Sequence, residues 1–373
     1  MQYRTFGSTG LSVSALGFGT MRLPTMDEKA MGANLNEEES IRLIRHAIDE
    51  GVNYIDTAYR YHEGNSECLV AKALADGYRE KVYLADKSPV WLLETPEDFD
   101  RILDEQLKKC AADHFDFYLL HALNANTFAD KVKGLHLVER MQQAKADGKI
   151  GHIGFSFHDR LPVFREILEY SDAWEFCQIQ LNYVDADYQA GVEGMRMAAE
   201  RGMGVIAMEP LLGGKLANPT GTMAERISPE RPPVQWALDW LWNQPEVSML
   251  LSGMGNQEQV EQNLAYADQS SVHCLSESDL AMLEGVHQAY LDDTRIPCTG
   301  CSYCVPCPQG LDIPELFAAY NSVVSSTKPV AQRKYAAFDV KASQCVKCGA
   351  CEALCPQQLP ISKHMKLLAD FFE

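Results

Sequence analysis

The chain has 373 residues, of which 46% are hydrophobic and 23% charged, an ordinary balance for a folded globular protein. Its formal net charge of −19 disfavours nucleic acid or an anionic membrane surface as the main partner. The N-terminal stretch MQYRTFGSTG is polar and unlike a secretory signal, and no apolar stretch approaches the roughly 18 residues needed to cross a bilayer. We therefore expect a cytoplasmic protein that does not enter a membrane.

Cysteine and charge are both distributed unevenly. Eight of the 12 cysteines fall between Cys298 and Cys355. Residues 293–373 hold eight Lys and Arg against seven Asp and Glu, a formal +1, which leaves 25 against 45, or −20, for residues 1–292. A disulfide scaffold would suit a secreted protein, and no export signal is visible. The contrast predicts two domains, residues 1–292 and 293–373.

The first domain alternates short strands with amphipathic helices. A hairpin is predicted at residues 2–12, and helix starts are marked by Asn36 before three glutamates and by Thr95 before Pro96. Strands are predicted at residues 16–19, 53–57, 82–87, 115–121, 150–157, 176–181, 205–208 and 247–251. Further helices are predicted at residues 66–75, 134–147, 160–170, 189–201, 232–243, 256–267 and 276–290.

Strict alternation of strand and helix indicates a parallel sheet, and eight units are the number that closes a (β/α)8 TIM barrel. The alternative is an open, doubly wound sheet. That fold would require a glycine-rich turn after the first strand, and Gly17-Phe18-Gly19 has no such continuation. The fold predicted is a TIM barrel followed by a small cysteine-rich domain.

Ionisable residues end three consecutive strands. Asp56 ends the second, Lys87 the third and His121 the fourth, and Tyr61 follows Asp56 by five residues. Each alone has a plain structural explanation, such as a turn cap or a surface lysine. In a TIM barrel, however, the C-terminal ends of the strands form the active site, so we expect these four in one pocket.

The four residue types indicate which kind of reaction the site could catalyse. An adjacent ammonium lowers the pKa of a phenol, so Lys87 would make Tyr61 a better proton donor, while Asp56 would orient Lys87. His121 can hydrogen-bond a carbonyl oxygen on which negative charge develops. The set contains no nucleophile or metal-ligand cluster. It therefore favours carbonyl reduction or alcohol oxidation over hydrolysis.

The pattern closely resembles the signature and catalytic tetrad of the aldo-keto reductases, and the resemblance covers about residues 1–292. It runs Asp56-Thr57-Ala58-x-x-Tyr61-x-x-Gly64-x-Ser66-Glu67, with Lys87 and His121 downstream. The resemblance implies that Tyr61 protonates the carbonyl oxygen as a nicotinamide hydride reaches the carbon. It also implies that Lys87 and Asp56 tune Tyr61 and that His121 positions the substrate. Trp91 and the loop after His121 are expected to line the pocket.

The same resemblance implies a nicotinamide site. Gln178 and Ser156 match residues that bind the carboxamide, although Phe157 replaces the usual Asn and Met208 the usual stacking aromatic. Backbone N–H groups of a loop after the last strand could hold a pyrophosphate, or the loop could be purely structural. Residues 249–267 contain no Lys or Arg to meet a 2′-phosphate, which favours NAD(H) over NADP(H). The residues expected there are Ser252, Gly253, Met254, Asn256, Gln259 and Asn263.

Two cysteine motifs dominate the second domain. They are Cys298-x2-Cys301-x2-Cys304-x2-Cys307-Pro and Cys345-x2-Cys348-x2-Cys351-x3-Cys355-Pro. This spacing is typical of two-cluster ferredoxins, in which the Cys-Pro of one motif completes the site of the other. The first motif departs from it in having two residues, Val305 and Pro306, before its fourth Cys. Two zinc sites are the alternative. The expected ligands of one [4Fe-4S] cluster are Cys298, Cys301, Cys304 and Cys355, and those of the other are Cys307, Cys345, Cys348 and Cys351.

The domain resembles the α-helical dicluster ferredoxins, and the whole chain resembles iron-sulfur aldo-keto reductases. We expect an oxidoreductase acting on a small carbonyl or alcohol, with clusters that relay electrons or serve structure or docking. A second reading is a reductase fed through the clusters by an electron-transfer protein, with a flavin in the barrel. A third is an electron-carrier or regulatory subunit with an inactive barrel, which the intact tetrad disfavours.

Overall fold

The computed structural model describes residues 1–27, 29, 31–325 and 328–373. Contacts divide it into two compact units, Met1–Pro210 with Ala237–Leu275, and Leu211–Trp236 with Ser276–Glu373. Residues 211–236 and 276–292, which the composition assigns to the first domain, thus group with the cysteine-rich residues. None of the helices in the described ranges is long and apolar enough to cross a membrane.

The described ranges contain ten strands. β1 and β2 form an antiparallel hairpin, and the other eight form a closed, fully parallel barrel in the order β10-β3-β4-β5-β6-β7-β8-β9. The prediction of a TIM barrel is therefore confirmed. The bounds are β1 Tyr3–Thr5, β2 Ser12–Ser14, β3 Leu16–Gly19, β4 Tyr54–Asp56, β5 Tyr83–Ser88, β6 Phe115–Leu123, β7 Ile150–Phe157, β8 Phe176–Gln180, β9 Gly204–Met208 and β10 Met249–Gly253.

The helices that alternate with these strands begin where the sequence signals them. Asn36 caps α1 by accepting from the Glu39 N–H, Pro96 opens α3, and Ser276 and Asp279 cap α11 reciprocally. The bounds are α1 Glu37–Asp49, α2 Ser66–Ala73, α3 Pro96–Lys109, α4 Ala125–Thr127, α5 Leu137–Ala146, α6 Leu161–Tyr170, α7 Gly191–Glu200, α8 Gly221–Arg226, α9 Pro233–Trp242, α10 Gln257–Gln269 and α11 Glu277–Asp293.

The hairpin closes the N-terminal end of the barrel. The Phe6 ring centroid lies 4.9 Å from that of Phe117 and 5.7 Å from that of Phe176. A Cβ on Gly204 would lie 2.4 Å from the Phe6 ring, so glycine is required there. Tyr54, buried completely, extends this aromatic layer. The opposite end of the barrel interior is left for polar residues.

The cysteine-rich unit is helical around its own apolar core. Phe317, Tyr335 and Met365 belong to this core, and the Tyr335 and Phe372 rings stack with centroids 4.5 Å apart. Half-buried cysteines pack against it from both motifs. Its further helices are α12 Ile313–Ser325, α13 Lys328–Ala336, α14 Ala350–Ala353 and α15 Ile361–Phe372.

Candidate active site and cysteine cavities

Asp56 and Lys87 form a buried ion pair inside the barrel. They lie on β4 and β5, two residues beyond the apolar layer, so both side chains point inward. Lys87 Nζ is 2.5 Å from Asp56 Oδ1 and donates to the Thr57 carbonyl over 2.7 Å. Both side chains are essentially inaccessible to solvent. Burial raises the pKa of Asp56, and the charge of Lys87 opposes this rise.

Tyr61 lies against this pair. Its N–H donates to the Ala58 carbonyl over 3.0 Å, and its side chain is 6% exposed. Lys87 Nζ is 5.1 Å from the centroid of the phenol ring. The His121 ring meets the Tyr61 ring edge-on, with centroids 6.3 Å apart. The structure therefore brings the four predicted residues together.

A residue that no sequence motif singled out holds the Tyr61 loop. His62 is fully buried, and its two ring nitrogens lie 3.0 Å from the Gly32 carbonyl oxygen and 3.1 Å from that of Thr20. His62 and Glu63 both have left-handed backbone, with φ of 53° and 56°. Such conformations cost energy in non-glycine residues and persist only where the surroundings enforce them. His62 therefore fixes the turn from which Tyr61 projects.

Three hydroxyl groups join the same loop to the end of β4. Thr20 Oγ1 donates to the Asp56 carbonyl over 2.9 Å and is 2.8 Å from Ser66 Oγ. Ser66 Oγ is in turn 2.9 Å from Thr57 Oγ1. All three side chains are buried. The hydroxyl network explains the Thr and Ser of the motif as supports of the turn.

His121 is electrically neutral in this setting. Burial, and then the positive charge of Lys87, hold its pKa well below the ordinary value. Its Nδ1 is buried and has no hydrogen-bond partner within the described ranges. The Trp91 ring lies 5.2 Å away between centroids, and Arg60 lies 5.8 Å from the Trp91 ring. A neutral imidazole can donate one hydrogen bond to a substrate oxygen without carrying charge.

A second buried polar group lies on the outer face of β5. Asp86 Oδ1 accepts from the N–H of Lys87 over 2.8 Å, while Lys109 Nζ is 3.1 Å from Glu67 Oε2. Asp86 and Glu67 are both completely buried. Burial, and then the neighbouring Glu67, raise the pKa of Asp86 well above its ordinary value. Burial also raises the pKa of Glu67, against the charge of Lys109.

The residues expected at a nicotinamide lie side by side on β7, β8 and β9. Ser156 pairs with Gln178 in the sheet register, and Ser156 Oγ accepts from the Ala122 N–H over 2.8 Å. Gln178 Nε2 lies 3.6 Å from Met208 Sδ. Gln178 Oε1 is buried without a hydrogen-bond partner among the residues described. This unsatisfied acceptor fits the amide N–H of a carboxamide.

The loop after β10 is preorganised by its own side chains. Asn256 Oδ1 accepts from the Gln259 N–H over 2.9 Å, and Gln259 Oε1 accepts from the Gly255 N–H over 2.8 Å. Asn263 Nδ2 donates to Ser252 Oγ over 3.1 Å. These bonds hold the glycine-rich backbone at the start of α10, where N–H groups attract anions.

An arginine packs against this loop, although it comes from far away in the sequence. A Cβ on Gly253 would lie 2.9 Å from both Cβ and Cγ of Arg22, and one on Gly255 would lie 2.9 Å from the Arg22 carbonyl oxygen. Gly253 and Gly255 therefore pack directly against Arg22. Parallel pairing of Gly19 with Gly253 brings the segments together. Sequence reasoning could have found Arg22, because the first and last strands of a closed barrel are neighbours.

A second arginine near α10 is already neutralised. Arg42 donates to both carboxylate oxygens of Glu39 over 2.9 and 2.6 Å and to Gln257 Oε1 over 2.5 Å. Two hydrogen bonds to one carboxylate satisfy a guanidinium in its preferred bidentate geometry. Arg42 is thus engaged by an acidic partner on its own helix.

The eight clustered cysteines line two separate cavities of the cysteine-rich unit. Cys298, Cys301, Cys304 and Cys355 line one of them. Cys307, Cys345, Cys348 and Cys351 line the other. This is the crossed grouping expected from the sequence. Ile313 and Ile361 line both cavities, so only a thin apolar layer separates them.

The thiols surround open space instead of converging on a point. In the described part of the chain, no three His, Cys, Asp or Glu side chains are grouped closely enough to bind one metal ion. Burial, and then neighbouring thiols, raise the pKa of Cys304, so its thiolate requires a positive partner. Four thiols spread around a cavity fit a cubane cluster better than one zinc ion.

The loop that follows β9 supports the first cavity. Within the cysteine-rich unit, Lys215 Nζ donates to the Cys298 carbonyl over 2.5 Å. Gly213 has a φ of 62°, and a Cβ on it would clash with the Thr299 carbonyl oxygen at 1.9 Å. Glycine therefore permits the close approach that lets Lys215 reach the first cysteine turn.

Comparison with known proteins gives consistent matches for both regions. Residues 15–233 match the model of the aldo/keto reductase family, and residues 297–359 match that of a 4Fe-4S dicluster domain. The chain is 26% identical over 329 residues to an NADH-specific methylglyoxal reductase of Escherichia coli, covering 76% of this chain and 97% of that protein. It is 29% identical over 239 residues to the uncharacterized oxidoreductase YrpG of Bacillus subtilis, covering 58% of this chain and 68% of that protein.

Solved structures support the same fold. The thermostable aldo-keto reductase Tm1743, in complex with the inhibitor epalrestat, gives a TM-score of 0.63 at 28% identity, covering 77% of this chain and all of that one. The holo form of aldo-keto reductase AKR11C1 from Bacillus halodurans gives a TM-score of 0.64 at 24% identity, covering 77% of this chain and 96% of that one. The second similarity concerns the fold alone.

Proposed function

Because the chain belongs to the aldo/keto reductase family, we propose that it reduces the carbonyl of a small aldehyde or ketone to an alcohol, or catalyses the reverse oxidation. The observation that carries the proposal is the buried Asp56–Lys87 pair with the Tyr61 ring against Lys87 Nζ. A bound nicotinamide would supply the hydride. The dicluster domain makes the protein an iron-sulfur oxidoreductase of this family.

Tyr61 is the proposed proton donor. As negative charge develops on the carbonyl oxygen, the phenol O–H donates its proton, and the ammonium of Lys87 stabilises the phenolate left behind. Asp56 keeps Lys87 charged and oriented. His121, neutral and with an unsatisfied ring nitrogen, would hydrogen-bond the same oxygen. Tyr61 would thus donate the proton, and His121 would position the substrate.

NAD(H) is the proposed nicotinamide. Gln178 Oε1 offers an acceptor for the carboxamide, and Arg22 beside Gly253 offers a charge for the pyrophosphate. Arg42 is already paired with Glu39, which leaves it poorly suited to a 2′-phosphate. The NADH-specific relative supports the same preference.

The test is NADH-dependent reduction of methylglyoxal, the carbonyl named for that relative, by anaerobically purified protein. We expect Tyr61→Phe to lower kcat by about 10²- to 10⁴-fold, the usual contribution of a general acid, with NADH binding unchanged. Tyr59→Phe is the matched control, because Tyr59 lies in the same loop and its hydroxyl donates to Glu105 over 3.2 Å. Full activity in Tyr61→Phe would exclude the proton-donor role.

A second function is favoured by the two cysteine cavities: a reductase supplied with electrons through the clusters by a protein or a flavin, without a nicotinamide. Anaerobic titration with NADH separates the two. Bleaching of the cluster absorbance would show that electrons pass from the nicotinamide to the clusters. Methylglyoxal reduction without bleaching would leave the clusters a separate or structural role.

A further inference from the structure

The second cysteine motif lies in the one strongly basic part of the chain. Residues 328–366 contain seven Lys and Arg against two Asp and Glu, a formal +5. The rest of the sequence then holds 26 against 50, a formal −24. A basic segment is unexpected in a protein of net charge −19. Its position around a cluster motif calls for an explanation.

The one exposed cysteine among the eight in the two motifs lines the cavity formed with this motif. Cys348 is exposed, and Val346 beside Cys345 is 60% exposed. Beside the first cavity, Thr299 is 4% and Gln357 7% exposed. A cluster in the second cavity would therefore have one ligand, Cys348, at the surface.

Exposed lysines surround the second cavity. Lys347 lines it together with Ser362 and Met365 of α15, and Lys363 and Lys366 follow those two residues directly in the sequence. All three lysines are exposed, and Lys366 Nζ also donates to Asp370 Oδ2 over 2.7 Å. The nearby Glu352 carboxylate is occupied by the N–H and hydroxyl of Ser362, each at 2.7 Å. We call Val346, Lys347, Lys363 and Lys366 the basic face.

We propose that the basic face is the docking surface for a small acidic one-electron carrier protein, which exchanges electrons with the second cluster first. The inference deepens the proposed function, since it rests on the clusters being redox active. An apolar centre at Val346 with a cationic rim is typical of a transient protein interface. Charge complementarity selects an acidic partner, and the −24 of the remaining chain repels that partner from other surfaces.

The electron count suits a pair of clusters. In each encounter the carrier loses one electron and one [4Fe-4S]²⁺ cluster becomes [4Fe-4S]⁺. With flavodoxin, the anionic hydroquinone FMNH⁻ becomes the neutral semiquinone FMNH•, and no proton moves. Ile313 and Ile361 border both cavities, so the electron can pass to the first cluster and leave the second ready for another. Two encounters load both clusters.

The experiment is stopped-flow reduction of the oxidised holoprotein by flavodoxin hydroquinone, a small acidic carrier, followed by cluster absorbance at low and high ionic strength. We expect Lys363→Glu/Lys366→Glu to lower the second-order rate constant about tenfold at low salt and to flatten its salt dependence. Reduction by methyl viologen radical, which needs no docking surface, should stay within about twofold of wild type. Lys347→Gln, with iron content checked because it lies between two cysteines, should show a smaller decrease.

The matched control is Lys29→Glu/Lys108→Glu, two exposed lysines outside the cysteine-rich unit with the same change in net charge. Equal slowing in the control, or no slowing in Lys363→Glu/Lys366→Glu, would overturn the docking surface. So would failure of flavodoxin hydroquinone to reduce wild-type clusters that methyl viologen reduces. Methylglyoxal reduction with NADH is measured separately, so its failure would count against the proposed function and not against the basic face.

Discussion

The backbone N–H of Lys87 donates to Oδ1 of its neighbour Asp86 over 2.8 Å, so β5 carries a second, fully buried carboxyl group on its outer face. Successive residues of a strand face opposite ways. Lys87 therefore meets Asp56 inside the barrel, while Asp86 lies among Glu67, Gln106 and Tyr118 outside it.

Asp86→Asn should change how stability depends on pH. The native pKa of Asp86 is raised above its unfolded value near 3.8, so the native state binds more protons and the wild type loses stability as pH rises from about 4 to the native pKa. Asn keeps an acceptor for the Lys87 N–H and does not titrate. We expect its thermal midpoint, relative to wild type, to increase from pH 5 to pH 8. A constant difference between variants across this range would contradict the shift.

The Asp56–Lys87 pair should show strong coupling. Lys87→Met leaves a buried carboxylate alone and Asp56→Asn leaves a buried ammonium alone, and each should cost about 3–5 kcal/mol. The double variant removes both charges, so its thermal midpoint should exceed that of either single variant. Methylglyoxal reduction should be lost about equally in all three. Recovery of activity together with stability would show that the pair serves folding only.

Arg22 should contribute to NADH affinity. Removing one charge-assisted hydrogen bond costs about 1.5–3 kcal/mol, so Arg22→Met should raise the NADH dissociation constant by roughly 10- to 100-fold. Arg42→Met is the control and should have little effect, because Glu39 already pairs with Arg42. Fluorescence titration with NADH and NADPH measures both. A larger loss in Arg42→Met with NADPH binding more tightly than NADH would contradict the NAD(H) preference.

Lys215 should raise the reduction potential of the first cluster. Its ammonium lies at the Cys298 carbonyl, and a nearby positive charge stabilises the more negative, reduced cluster. Lys215→Met should lower that potential by on the order of tens of millivolts. Redox titration followed by electron paramagnetic resonance measures it, with the exposed Lys334→Met as the control. An unchanged first potential, or an equal shift in the control, would mean that Lys215 serves only to hold the turn.

Local sequence patterns were sufficient to predict the barrel. β7 was predicted at its observed bounds, because Ile150–Phe157 is framed by a glycine-containing turn and a polar segment. β10 begins two residues later than predicted, because its pairing with β9 starts at Met249, opposite Ile206, although Val247 is also buried. α5 begins at Leu137 and not at residue 134, because His136 takes a left-handed conformation and the π-helical segment Phe128–Lys133 precedes it.

Contacts between residues that are distant in the sequence were harder to predict. The tetrad could be assembled because each member ends a strand, and strand ends meet at one rim. The positions of His62 and of the Glu67–Asp86 pair depend on which loops and helices come together, which periodicity does not encode. The grouping of residues 211–236 with the cysteine-rich unit likewise depends on contacts such as that of Lys215 with Cys298.

The exposure of Val346 and Cys348 also affects how long the second cluster resists oxidation in air. Dioxygen attacks a reduced iron-sulfur cluster most readily where solvent reaches its thiolates, and one rim of the second cavity is open to solvent. The same opening that suits this cluster to exchange electrons makes it the first to be lost by oxidation. The first cluster, bordered by the buried Thr299 and Gln357, should outlast it.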